Sequence, residues 1–221
     1  MANRRGTGLF MVCVDMPTDM EEEFNRWYNE EHLAEVLAMP GVLSAARYEA
    51  VRSGPKHLAL YELENPQVME SDAFMNREHT PWTLRINPPV YAANFIYNVY
   101  EMIYPDQVTP ELADAEFAPV LQIGRMAVAP QHEQEWNRWY SSVYVPSYEM
   151  VKGCIRGRRW RVYQGSPRYA VMYELEHERV SETPDWLEQR DIHPENGKMR
   201  ELMTHATGSP GIWKKTLELS K

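Results

Sequence analysis

The chain has 221 residues, is 43% hydrophobic and 11% aromatic, and carries a formal net charge of −9. That is enough apolar material for one large or two small cores, and the acidic balance argues against a nucleic-acid partner, which needs clustered Lys and Arg. Its two cysteines, Cys13 and Cys154, form neither a disulfide framework nor a metal-type pair, which fits a reducing, cytoplasmic setting; the apolar run Leu9 to Val14 is too short for a signal h-region or a membrane span.

In chain order, Leu9 to Met16 is an apolar run ended by Pro17 and predicts a buried strand. Thr18, three residues before Glu21, reads as a helix start, and the helical stretch runs to about Met39, with Pro40-Gly41 as its stop. Two strands follow, Val42 to Val51 and Lys56 to Glu64, joined by a tight turn over Arg52 to Pro55. A shorter helical piece (about Pro66 to Arg77), a Pro-containing loop and a strand over Ala93 to Ile103 complete a β-α-β-β-α-β unit.

The same order then repeats: strands over Val120 to Val128, Cys154 to Tyr163, Arg168 to Glu176 and Ile212 to Leu219, a helix stopped at Gly153, and a short helix near Pro184 to Asp191. Residues 24–64 align on 136–176 at a constant shift of 112 without a gap, identical at 11 of 41 positions, including Trp27/Trp139, Tyr28/Tyr140, Arg47/Arg159 and Tyr61 to Glu64 on Tyr173 to Glu176. The expected class is α+β: two tandem ferredoxin-like repeats, 1–104 and 119–221 with a connector over 105–118, closing into one intramolecular barrel. One chain would be a pseudo-dimer, itself able to form a homodimer.

Trp27-Tyr28-Asn29-Glu30-Glu31-His32, followed by Met39-Pro40-Gly41, Ala46-Arg47-Tyr48 and Glu78-His79-Thr80-Pro81-Trp82, resembles the EthD-like members of the dimeric α+β barrel superfamily. That resemblance implies a small-molecule pocket between helices and sheet, often for aromatic or ring substrates. The superfamily includes cofactor-free monooxygenases and cyclases, lactone isomerases, and haem proteins such as chlorite dismutases, so it implies no single reaction.

On a regular helix of about 100° per residue, Glu31 falls on the aromatic face beside Phe24, a costly place for an unpaired carboxylate. The functional reading pairs Glu31 with His32 as general acid and base, with Tyr28 one turn earlier; the structural reading binds Glu31 to Arg47. The second copy has Val143-Tyr144 in place of Glu31-His32, and Tyr144 can donate a hydrogen bond but is a poor base with an ordinary pKa of about 10. His79 and Trp82 are expected in a loop over the same pocket, with His193 near the matching place in the second copy. Arg125, a cation on the alternating face of a strand where the first copy has Cys13, needs an anion, either a structural acid or a substrate carboxylate. Trp27, Tyr48, Tyr140 and Trp160 complete the candidate substrate-binding set.

The chain has no GxGxxG after a strand, no P-loop, no HExxH, no G-x-S-x-G and no metal-ligand spacing. Neither a metal nor another cofactor is expected. The leading expectation is a cofactor-independent enzyme of the lyase or isomerase kind (decarboxylation, cyclisation or proton transfer) on a small aromatic, phenolic or carboxylated substrate. The alternatives are a cofactor-free monooxygenase and a non-catalytic binding protein, with a haem protein the weakest.

Overall fold

Alternation along the strands builds two kinds of core. A computed structural model of the chain describes residues 3–221 and contains nine strands: β1 (Gly8–Asp15), β2 (Val42–Arg52), β3 (His57–Leu63), β4 (Ala93–Tyr104), β5 (Val120–Val128), β6 (Cys154–Gln164), β7 (Tyr169–Leu175), β8 (Met203–His205) and β9 (Gly211–Ser220). The first four stand in the order β4-β1-β3-β2 and four of the last five in the order β6-β7-β5-β9, all antiparallel. The seams β2 to β9 and β4 to β6 close these eight strands into a barrel, with β8 added beside β5. A closed barrel has no free edges.

Because side chains alternate between faces, Leu9, Met11 and Cys13 of β1 point into the barrel, where Tyr48, Tyr100, Trp160 and Trp213 join them. Phe10 and Val14 point outward and are covered by a helix. The second half repeats this outer layer with a core of its own.

The barrel interior also holds charge. Glu62 accepts from Arg5 at 2.8 Å and from Arg158 at 2.7 Å, and Arg158 reaches Glu174 at 3.1 Å. Arg156 adds a contact to Glu174 at 3.2 Å. Glu62 and Glu174 are counterparts under the 112-residue shift, as are Arg5 and Phe117, and the Arg5 guanidinium lies 4.0 Å from the Phe117 ring centroid. Equivalent residues therefore meet around a pseudo-twofold axis. Charges taken out of water this completely need such mutual pairing.

The eight barrel strands lie where the sequence puts them, give or take two residues, and Gly41 and Gly153 end the helices with φ of +80° and +90°, a region open to glycine. Four local expectations fail. The first helix begins at Glu21 with Met20 before it and no side-chain cap, so Thr18 does not serve; three glutamates in the first turn favour the helix dipole instead. The piece expected over 66–77 is a 3-10 turn, Pro66–Glu70, and one helical turn, Asp72–Met75. The loop expected to carry Trp82 is itself helical, because Thr80 caps Pro81–Ile86 with its hydroxyl and Pro81 is preset for the first turn. The connector contains a helical turn, Pro110–Ala113, and a helix, Asn196–Glu201, precedes the unforeseen β8.

Candidate functional site

Both long helices, 21–37 and 133–149, change pitch midway: Tyr28–His32 and Tyr140–Tyr144 are π-helical turns. A π turn brings residues five apart into register, where an α turn aligns residues three or four apart. Trp27 consequently stacks on His32, with ring centroids 4.1 Å apart and planes at 19°. In the second copy Trp139 and Tyr144 do the same at 4.6 Å and 35°.

The π turn corrects the wheel reading. His32 lines a cavity of about 240 Å³ between helix and sheet, walled by Phe10, Phe24, Trp27, Tyr28, Phe95 and Tyr97, with Arg77 and His79 also on its surface. Glu31 is turned away from that lining, and its carboxylate accepts from the Thr80 hydroxyl at 2.6 Å. Thr83 in turn accepts from the Trp27 indole at 3.1 Å, so both tie the short helix Pro81–Ile86 to the long one. The expected Glu31–His32 pair is replaced by Glu35, whose carboxylate lies 3.2 Å from His32 Nδ1.

This pairing sets the chemistry of the imidazole. Its contact with His32, more than any other influence, holds the Glu35 carboxyl below its usual range, so near neutrality Glu35 is ionised and can only accept. Nδ1 therefore carries the proton and Nε2 the lone pair, and among the described residues Nε2 has no hydrogen-bond partner. Burial pushes the His32 pKa down, partly opposed by Glu35 and reinforced by Arg77 and His79, so the ring is neutral at neutral pH. Tyr28, buried and 3.4 Å from the Tyr61 hydroxyl, has its pKa raised by desolvation and stays a neutral phenol.

Arg77, which sequence reasoning missed, contributes a cation to the wall. Its guanidinium stacks on Phe74 at 4.8 Å, and its Nη1 is buried without a partner. Glu35 was missed too. Both carried a signal, since their counterparts under the 112-residue shift are Gln189 and Ser147.

The remaining candidates do not converge here. Tyr48 and Trp160 lie inside the barrel, on the opposite face of the sheet, where the Tyr48 hydroxyl donates to the Ala118 carbonyl at 2.9 Å. Trp82 packs on the helix core without lining the cavity. Arg125 stands at a barrel mouth and donates to the Thr207 carbonyl at 3.2 Å; no acid pairs with it among the described residues. Tyr140 and Tyr144 line a separate cavity of about 390 Å³ in the second half. His193 lies outside it, near the Glu195 backbone. Arg47 binds Asn25 and Asn29, and Arg159 binds Asn137 and Ser141, so Arg47 is not the partner of Glu31.

No protein-family model matches the chain, and no curated protein does. Solved structures do. An anthrone oxidase-like protein matches over 99% of this chain and 95% of its own at 13% identity and a TM-score of 0.60. A proposed chlorite dismutase matches over 95% and 94% at 12% identity and 0.63. A proposed monooxygenase from Lactobacillus acidophilus NCFM matches over 97% and 96% at 9% identity and 0.60. The fold is that of the dimeric α+β barrels.

Haem occurs in that superfamily, and the residues present do not fit it. The His32 cavity, about 240 Å³, falls below the roughly 300–1,000 Å³ typical of sites for drug-sized ligands. In the second cavity Tyr144 takes the place of His32, and the only imidazole is His205 on β8. Among the described residues no group of three or more His, Cys, Asp and Glu is placed to hold a metal ion, and no helix is long and apolar enough to cross a membrane.

Proposed function

We propose that the N-terminal cavity is the active site of an enzyme that takes a proton from a small aromatic or phenolic substrate, with His32 as the base. One observation carries this: a buried neutral imidazole, stacked on Trp27 and held at Nδ1 by ionised Glu35, whose Nε2 is left unpartnered in an aromatic cavity. A general base of this kind contributes about 10²–10⁴-fold. Arg77, with an unpaired buried nitrogen, is suited to stabilise the anion that forms. His79 stands at the cavity surface as a second proton carrier.

The anion so formed has two fates. Reprotonation or loss of carbon dioxide gives isomerase or decarboxylase chemistry; capture by dioxygen gives a cofactor-free oxygenase, a reading favoured by the anthrone oxidase-like and monooxygenase neighbours. In this reading the chain is a fused EthD-like pair, residues 1–104 and 119–221, with the chemistry in the first.

The test is a screen of phenols and aromatic acids in deuterated buffer, read by NMR for deuterium entering the substrate, with an oxygen electrode run in parallel. Exchange or turnover that disappears in His32→Ala while folding is retained is the expected result. A rate unchanged in that variant overturns the assignment, and oxygen uptake selects the oxygenase branch.

A further inference from the structure

The cavity of the second half is the counterpart of the His32 cavity, residue for residue, yet it has been rebuilt. On its floor Phe10 becomes Gln122, Val12 becomes Gly124 and Val14 becomes Met126, while Tyr144 stands for His32. In the first half Phe10 stacks on Tyr61 at 5.3 Å, and the Tyr61 hydroxyl lies 3.4 Å from that of Tyr28. With no ring at Gln122, the equivalent Tyr173 loses that cover.

The Tyr173 side chain is 3% exposed, lines this cavity, and its hydroxyl has no hydrogen-bond partner in the protein. A buried hydroxyl left unpaired costs about 1–3 kcal/mol, so it is a donor awaiting an acceptor. Beside it the Tyr144 and Tyr148 hydroxyls pair with each other at 3.2 Å, and Tyr148 and Trp186 present aromatic faces 4.6 Å apart. The lining holds three arginines and no acid, in a chain of net charge −9. Arg52 is already engaged by Glu182 and Ser181. Arg200 meets only the exposed Asp191, at 3.5 Å, and Arg190 has no acidic partner among the described residues.

We infer that the C-terminal cavity is a second ligand site, one that binds a small aromatic carboxylate. The ring lies against Tyr148 and Trp186, Tyr173 donates to an oxygen of the ligand, and Arg190 and Arg200 receive the carboxylate at the rim. The position of the proposed base is occupied here by a phenol, so the site binds where the other half reacts. Because the two cavities share no lining residue, this inference stands or falls separately from the proposed reaction.

Isothermal titration of the full-length protein with sodium benzoate, using benzyl alcohol as the uncharged control, tests it. Saturable benzoate binding is expected, with benzyl alcohol far weaker. In R190Q/R200Q the affinity should fall about tenfold or more, or one of two sites should vanish, as loss of a charged hydrogen bond implies. Tyr173→Phe, which removes one oxygen and keeps the ring, should weaken binding severalfold without lowering the melting temperature. Unchanged affinity and stoichiometry in both variants, or no saturable binding to the wild type by about 10 mM, overturns it.

Discussion

The two cavities sit at equivalent places under equivalent helices, each bent by the same π turn, and yet one presents an imidazole and the other a set of phenols. The scaffold is common to both: Trp27 and Trp139, Tyr28 and Tyr140, and Arg47 and Arg159 make matching contacts in the two halves. Only the residues that meet the cavity diverge. Position in this fold therefore gives a hole with an aromatic wall, and chemistry comes from four or five substitutions around it.

The largest effect that would sharpen this contrast is on turnover. His32→Ala should lower kcat/KM by about 10²–10⁴; steady-state kinetics on a substrate from the screen would show it, and a loss under threefold would break the contrast outright. Next comes the barrel interior, where the halves also differ. Glu62→Ala strands Arg5 and Arg158 and should cost about 3–5 kcal/mol in chemical denaturation. Glu174→Ala, whose contacts are longer at 3.1, 3.2 and 3.7 Å, should cost less; the reverse order would show that the first half does not anchor the cluster.

Glu35→Gln should lower kcat/KM about 10-fold to 100-fold, since the carboxylate fixes the tautomer and strengthens the base. The pH profile gives the sign. Activity needs neutral His32, whose pKa lies below its ordinary 6.5, so kcat/KM rises with pH through a value under 6.5 and is flat above neutrality. Glu35 stabilises the protonated ring, so removing its charge should move that limb to still lower pH; a limb that stays put or moves up would deny the pairing. The smallest effect is at Glu31, where Glu31→Gln should cost about 0.5–1.5 kcal/mol of stability through the Thr80 hydrogen bond, with little change in the pH profile.

The duplication, the strand order and the cavity's aromatic wall were legible because alternation and repeat spacing are periodic signals. The Glu31 assignment failed for a reason equally physical. A wheel of fixed pitch cannot anticipate a π turn, which inserts about one residue per turn and changes which side chain faces the sheet. Tyr48 and Trp160 failed through sheet geometry: on a closed barrel, the alternate face of a strand is an interior, unreachable from the helix side. Arg77 and Glu35 were recoverable in principle, since each changes type between the copies just as His32 does. What singled out His32 was a motif resemblance that these two lack.

The ion cluster on the pseudo-twofold axis bears on the history of the chain. Arg158, which closes the bridge between Glu62 and Glu174, has Ala46 as its counterpart in the first copy. Two first copies brought together would bury paired carboxylates without that arginine, and two second copies would bring an excess of arginines. Each half has thus become the other's obligate counter-ion, a ratchet that makes the fusion hard to reverse. The chain should melt in a single transition even though it is built from two look-alike parts.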